Sequence, residues 1–175
     1  MTPPILTVIA GPNGAGKSTI YKIALPEGRF INADDIEASL PHDMPKADRE
    51  KAAARAALDA IKDCMAQKES FVVETTLAGQ WPLRLMRDAH AAGYRVELVY
   101  IMLENAQQSV ERVAFRVKTG GHDIPTEAIL RRYPRSLANA RLAVRLADEV
   151  AIIDNSGKAP QFLGKRRRRK ERYPS

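Results

Sequence analysis

Residues 11–19 read Gly11-Pro12-Asn13-Gly14-Ala15-Gly16-Lys17-Ser18-Thr19, directly after the apolar run Ile5–Ala10. The stretch matches the pattern G-x-x-x-x-G-K-[ST], which binds phosphate when a buried strand leads through it into a helix. The glycines let successive backbone N–H groups turn toward phosphate oxygens, and the following helix adds its N-terminal dipole. The sequence therefore predicts a P-loop that binds a nucleoside triphosphate through residues 11–19.

Two side chains of this loop carry the expected chemistry. Lys17 is predicted to reach the β- and γ-phosphates, and the Ser18 hydroxyl is predicted to ligate a metal ion. ATP and Mg²⁺ are therefore the expected cofactors. The alternative is that residues 11–19 form a glycine-rich turn between a strand and a helix and bind no ligand.

Composition favours one soluble domain. The chain has 175 residues, of which 45% are hydrophobic, and this is enough to bury a single core. No apolar run is long enough to cross a bilayer, no signal-peptide pattern precedes the first strand, and the chain has a single cysteine. We therefore expect a cytoplasmic enzyme.

The net charge of +7 is concentrated at the end of the chain. Seven of the eight residues from Lys165 to Arg172 are basic and one is acidic, so the remaining chain is close to neutral. Because like charges repel, we expect residues 161–175 to form a disordered tail after a P-loop domain at 1–160. The tail is either simply solvated or contacts nucleic acid, an acidic partner or an anionic membrane surface.

Apolar runs alternate with helical patterns along the chain. The predicted strands are Ile5–Ala10, Arg29–Asn32, Phe71–Glu74, Val96–Leu103 and Val150–Asp154. The predicted helices are Lys46–Gln67, Trp81–Ala92, Ser109–Lys118 and Pro125–Ala147. This alternation predicts an α/β fold with a mostly parallel five-stranded sheet, helices on both faces and a small helical lid at about 112–135.

Acidic residues follow two of these strands, at the edge where open α/β sheets bind ligands. Asp34 is the preferred base for an acceptor hydroxyl, and Asp35 is the second choice; alternatively, both only cap a helix that is expected to start near Ile36. Glu74 is expected to contact Mg²⁺ through water or a sugar hydroxyl, with Thr75 as a neighbouring hydroxyl donor. The alternative for Glu74 is an acid that stabilises a helix N-terminus.

Basic residues surround the Gly120-Gly121 break. Arg112 and Arg116 share one helix face before it, and Arg131, Arg132 and Arg135 follow on the next helix. Arginines placed by a closing lid stabilise the charge that develops in phosphoryl transfer. We expect at least two of them to reach phosphate, with His122 in the lid as a further donor and Arg132 on the substrate side. Taken singly, each arginine fits a solvated surface residue better than a functional one.

Five segments together resemble the short forms of the zeta-toxin-like P-loop kinases. These are the loop at 11–19, the segment Phe30–Ile36, Val73–Thr76, the segment 120–125 with Arg131-Arg132-Tyr133, and Asp154–Gly157. The resemblance spans residues 5 to 157. It implies ATP- and Mg²⁺-dependent phosphorylation of a hydroxyl on a nucleotide-linked small molecule. In well-known zeta toxins the acceptor is UDP-N-acetylglucosamine, and an antitoxin protein neutralises the enzyme.

The resemblance also assigns roles. The family's general base falls on Asp34, its substrate-binding acid on Glu74 and its first lid arginine on Arg112. Its second lid arginine falls near Gly121, where this chain has none, so Arg116 or His122 replaces it. Residues 154–157 are expected near the adenine, mainly through backbone contacts.

Two other classes of function remain open. A nucleic-acid end kinase would use the basic residues 165–172 as its electrostatic handle, although the core lacks an aromatic platform for bases. A regulatory P-loop ATPase would hydrolyse ATP without any phosphoryl acceptor.

Overall fold

The computed structural model describes residues 2–41, 43–121 and 123–167. Its strands are β1 (Ile5–Ala10), β2 (Arg29–Ile31), β3 (Phe71–Thr75), β4 (Arg95–Met102), β5 (Glu149–Asp154) and β6 (Gln161–Arg167). Its helices are α1 (Lys17–Ala24), α2 (Ala33–Ser39), α3 (Lys46–Gln67), α4 (Trp81–Ala91), α5 (Ala106–Lys118) and α6 (Thr126–Leu146). The predicted α/β class is confirmed.

The strands form one sheet in the order β2-β3-β1-β4-β5-β6. The first five strands in this order are parallel, with β1 between β3 and β4. Because parallel strands end at the same edge, the loops that follow β1, β2, β3 and β5 meet there. This edge positions the candidate site.

Helices cover both faces of the sheet, as the continuous apolar run of β1 requires. Leu6 and Val8 of β1 belong to a buried cluster that includes side chains of α3, α4 and α6. Ile9 belongs to a second cluster, with Ile20 of α1 and Tyr133 of α6. Successive side chains of β1 therefore pack on opposite faces.

The sheet differs from the prediction by one strand. Residues 161–167 form β6, which pairs antiparallel with β5. The buried carboxylate of Glu149 contacts both Lys165 and Arg167, so the repulsion expected within this basic segment is partly neutralised. The prediction of a disordered tail is therefore wrong for residues 161–167, and residues 168–175 lie outside the described part of the chain.

Two helices begin earlier than predicted because asparagines cap them. The Asn32 side chain accepts a hydrogen bond from the N–H of Asp34 at 2.9 Å, and α2 begins at Ala33. The Asn105 side chain accepts one from the N–H of Gln108 at 2.9 Å, and α5 begins at Ala106. Such caps satisfy N–H groups that have no partner within the helix. Within the described residues, no helix is long and apolar enough to cross a membrane.

Candidate active site

Lys17 lies buried at the start of α1, with 7% of its surface exposed. Its ammonium group donates hydrogen bonds to the carbonyl oxygens of Gly11 at 3.1 Å and Pro12 at 3.2 Å. Burial lowers the pKa of Lys17, the carboxylate of Glu74 partly opposes this, and Arg116 lowers the pKa further. Burial disfavours the ammonium, so a polyanion brought beside Lys17 would stabilise its charged form.

Ser18 and Glu74 meet across the loop. The Ser18 hydroxyl donates a hydrogen bond to Oε2 of Glu74 at 2.9 Å. Glu74 belongs to β3, and the helix that follows it begins only at Trp81. Through Ser18, however, Glu74 contacts the first turn of α1, so the alternative that it stabilises a helix N-terminus stays open for α1. Two oxygen ligands of the kind that Mg²⁺ prefers therefore lie side by side.

A cleft of about 400 Å³ opens beside these residues. Eight residues that the sequence singled out line it, from five separate segments of the chain: Asn13, Gly14, Lys17, Asp34, Glu74, Thr75, Arg116 and Arg132. The loop, the two acids and two arginines are therefore brought to one place, although up to 119 positions separate them along the sequence.

The two adjacent aspartates differ in position. Both aspartates are exposed, but only Asp34, in the first turn of α2, lines the cleft. Neither side chain supplies the cap of α2, because Asn32 does so. The alternative that both aspartates only cap the helix is therefore wrong, and the role of Asp34 as the base stays a prediction.

The arginines also differ in their positions relative to the cleft. Arg116 and Arg132 line the cleft, while Arg131 and Arg135 are exposed. Arg112 is half-buried beside the loop, where its guanidinium donates to the carbonyl oxygen of Gly157 at 3.4 Å. The prediction for His122 lies outside the described residues.

Two contacts to the loop were not anticipated from the sequence. Ser109 of α5 donates a hydrogen bond to the carbonyl oxygen of Asn13. Asn155, after β5, donates from Nδ2 to the carbonyl oxygen of Ala15 at 2.8 Å. The segment 154–157 therefore contacts the loop through a side chain, and its expected backbone contacts to the adenine stay a prediction. Neither contact to the loop has a local signal, because both join segments far apart in sequence.

The cleft also contains acids that the sequence analysis did not select. Glu37 of α2 and Glu50 of α3 also line the cleft. Arg49 holds Glu37 through an ion pair of 3.7 Å and donates to the carbonyl oxygen of Met44 at 2.9 Å. Their helical positions carry no motif, so only the packing of α2 on α3 identifies them.

A sequence model of the zeta toxin family matches residues 2–166. The chain belongs to the zeta toxin family. An uncharacterized protein of Haemophilus influenzae is 31% identical over 125 residues, which cover 70% of this chain and 88% of that relative. The resemblance drawn from five short segments is therefore confirmed at the level of the family.

Solved structures share the fold. A structure from the PezAT toxin–antitoxin system of Streptococcus pneumoniae aligns with a TM-score of 0.72 and 18% identity, covering 94% of this chain and 72% of the other. The AvrRxo1-ORF1:-ORF2 structure with ATP aligns with a TM-score of 0.74 and 16% identity. That alignment covers 94% of this chain and 58% of the other, so this chain spans little more than half the length of that protein.

Proposed function

We propose that this zeta toxin family member is a kinase that transfers the γ-phosphoryl group of ATP to a hydroxyl of a small nucleotide-linked metabolite. The observation that carries the proposal is the convergence of Lys17, Asp34 and Arg116 on one cleft beside the Ser18–Glu74 pair. Phosphoryl transfer needs charge stabilisation together with a carboxylate near the acceptor hydroxyl. A P-loop ATPase without an acceptor would not need Asp34 in the cleft.

Each group has a defined task in this proposal. Lys17 exchanges its two carbonyl partners for phosphate oxygens, and the N–H groups of the loop hold the phosphates. Asp34 orients the acceptor hydroxyl and accepts its proton. Arg116 stabilises the charge that develops on the transferred group, which is the role left open between Arg116 and His122.

The residues present fit Mg²⁺. Within the described chain, no group of three or more His, Cys, Asp and Glu side chains converges on one point, so the protein itself offers Ser18 and Glu74. Mg²⁺ is commonly bound by one or two protein oxygens together with phosphates and waters. When bound here, it would neutralise charge on the β- and γ-phosphates.

The nucleotide-linked acceptor and the partner protein follow from the family. The resemblance to zeta toxins suggests UDP-N-acetylglucosamine or a similar compound as acceptor, with Thr75 and Arg132 among the substrate contacts. The PezAT system pairs a toxin with an antitoxin, and an antitoxin is the partner that we propose for this chain. The ATP in the AvrRxo1-ORF1:-ORF2 structure supports ATP as the phosphoryl donor.

The test is phosphoryl transfer from γ-labelled ATP to a panel of UDP-sugars, nucleosides, NAD and RNA 5′ ends, followed by mass spectrometry. We expect one added phosphoryl group on a nucleotide-linked metabolite and no transfer by Lys17→Ala. Label on RNA would contradict the small-molecule assignment. ATP hydrolysis at the same rate with and without every acceptor would favour the ATPase alternative.

A further inference from the structure

Two carbonyl groups of the P-loop are held by side chains from distant parts of the chain. Ser109, fully buried on α5, donates to the carbonyl oxygen of Asn13. Asn155, in the loop after β5, donates to the carbonyl oxygen of Ala15 at 2.8 Å. The two acceptors are alternate residues of the loop, so each contact holds a different peptide unit.

The orientation of each carbonyl determines the direction of the next N–H. No cis peptide bond occurs among the described residues, so the C=O of one residue and the N–H of the next point in opposite directions. The contact at Asn13 therefore turns the N–H of Gly14 away from α5, and the contact at Ala15 turns the N–H of Gly16 away from Asn155. Within the described chain, neither N–H has a hydrogen-bond partner.

The two donors belong to one continuous wall. Gln108 of α5 donates from Nε2 to the carbonyl oxygen of Ser156 at 2.8 Å, which ties the helix to the segment that carries Asn155. The loop lies directly against this wall, since a Cβ on Gly16, whose φ is 84°, would come within 2.8 Å of Nδ2 of Asn155. A Cβ on Gly14 would approach the Cβ of Arg112 to 3.0 Å. Both N–H groups therefore point away from this wall, and Gly14 itself lines the cleft.

We propose that Ser109 and Asn155 are positioning residues that aim the N–H groups of Gly14 and Gly16 at the phosphates of the bound nucleotide. The inference rests on the proposed ATP site. It adds that the anion-binding geometry of the loop is imposed by α5 and by the segment after β5. Preorganised N–H groups bind charge without first reorienting, and this is the source of the expected affinity.

The test is calorimetric binding of ATP, ADP, adenosine and inorganic tripolyphosphate to the full chain and its variants. For Ser109→Ala and for Asn155→Ala we expect ATP and tripolyphosphate to bind about tenfold more weakly, the effect of one lost hydrogen bond, with adenosine affinity unchanged. The double variant should bind ATP and tripolyphosphate more weakly than either single variant. In steady-state kinetics the KM for ATP should rise while kcat changes little.

Asn139→Ala is the matched control. Asn139 is buried and donates from Nδ2 to the carbonyl oxygen of Leu77 at 2.8 Å, so its loss removes the same kind of bond from another loop. We expect a similar fall in Tm with unchanged affinity for ATP. If Ser109→Ala does not fold, Ser109→Cys keeps the size of the side chain and removes the strong donor.

Other results would overturn the inference. Wild-type affinity for ATP in the folded Ser109 and Asn155 variants would do so. An equal loss for adenosine and ATP would also do so, because it would place these residues at the nucleoside. If the wild-type chain binds tripolyphosphate but not ATP, the proposed kinase is contradicted. The tripolyphosphate affinities of the Ser109 and Asn155 variants then decide the positioning role.

Discussion

The middle of the sheet and its outer edge are stabilised by different interactions. At the end of β1, the P-loop is held by buried hydrogen bonds from Lys17 and Ser109 and a partly buried one from Asn155, all to backbone carbonyls. At the edge, β6 is held to β5 by backbone pairing and by ion pairs from two exposed cations to the buried Glu149.

The difference shows why one region was predicted and the other was not. The P-loop has a local signature, since its phosphate-binding glycines and lysine are neighbours in sequence. The stability of β6 depends on an acid 16 and 18 positions before the cations that it neutralises, as the numbers of Glu149, Lys165 and Arg167 show. When the basic segment is considered without Glu149, its repelling charges predict disorder.

The largest expected effect concerns Asp34 in the cleft. Asp34→Asn should lower kcat by ~10²–10⁴ while the Kd for ATP stays unchanged, because the amide cannot accept the hydroxyl proton. Steady-state kinetics and calorimetry on the same preparation measure both values. Asp35→Asn is the matched control, and we expect a near-normal kcat because Asp35 is exposed outside the cleft. Equal losses of kcat in the two variants would contradict the assignment of the base to Asp34.

Two truncations distinguish the contribution of β6 from that of the residues that follow it. Deleting residues 161–175 should lower the free energy of unfolding by about 2–4 kcal/mol, because β6 is lost and Glu149 keeps neither cation. Deleting residues 168–175 should leave stability and the rate of transfer to a small molecule unchanged. Urea unfolding and the transfer assay measure these effects. A large loss of RNA 5′-end phosphorylation in the shorter truncation would support the nucleic-acid alternative.

A smaller effect is expected for the acid beside Ser18. Glu74→Gln keeps the size of the side chain and an acceptor for the Ser18 hydroxyl, but removes the negative charge. We expect the Mg²⁺ concentration for half-maximal activity to rise ~10-fold, about the effect of one charge-assisted contact. A titration of activity against Mg²⁺ at saturating ATP measures this. An unchanged Mg²⁺ requirement would show that Glu74 acts on the acceptor instead.

The smallest effect concerns Glu149 at the edge. Burial alone would raise the pKa of this carboxyl, but hydrogen bonds from Lys165 and Arg167 outweigh burial and hold the pKa below its usual value of 4.5. The stabilisation is therefore complete above that value and is lost as the pH falls through the lower pKa of the folded state. Glu149→Gln should cost about 1 kcal/mol at neutral pH, since both cations are at least half-exposed in the solvent.

Urea unfolding of wild type and Glu149→Gln across the acid range measures this effect. The difference in unfolding free energy should shrink toward zero in acid. A constant difference at every pH would mean that Glu149 stabilises β6 by packing and not by charge.

Much of the fold could be predicted, because the decisive patterns are short. The run Ile5–Ala10, the P-loop and the helix Lys46–Gln67 were located correctly from apolar periodicity and helix-forming composition. The starts of α2 and α5 were missed because Asn32 and Asn105 act as caps, and such residues are equally common in turns. The site was predicted in part, since Lys17, Asp34, Glu74, Arg116 and Arg132 do line one cleft.

The sequence by itself determined the phosphate-binding loop, the α/β class and the family, because each depends on residues that are close together or in a recognisable order. Only the tertiary structure decided that Asp34 and not Asp35 lines the cleft, that β6 extends the sheet, and that Ser109 and Asn155 hold the loop. These outcomes depend on which side of a helix faces a neighbour and on which distant group reaches a backbone carbonyl. Packing sets both, and no local pattern encodes them.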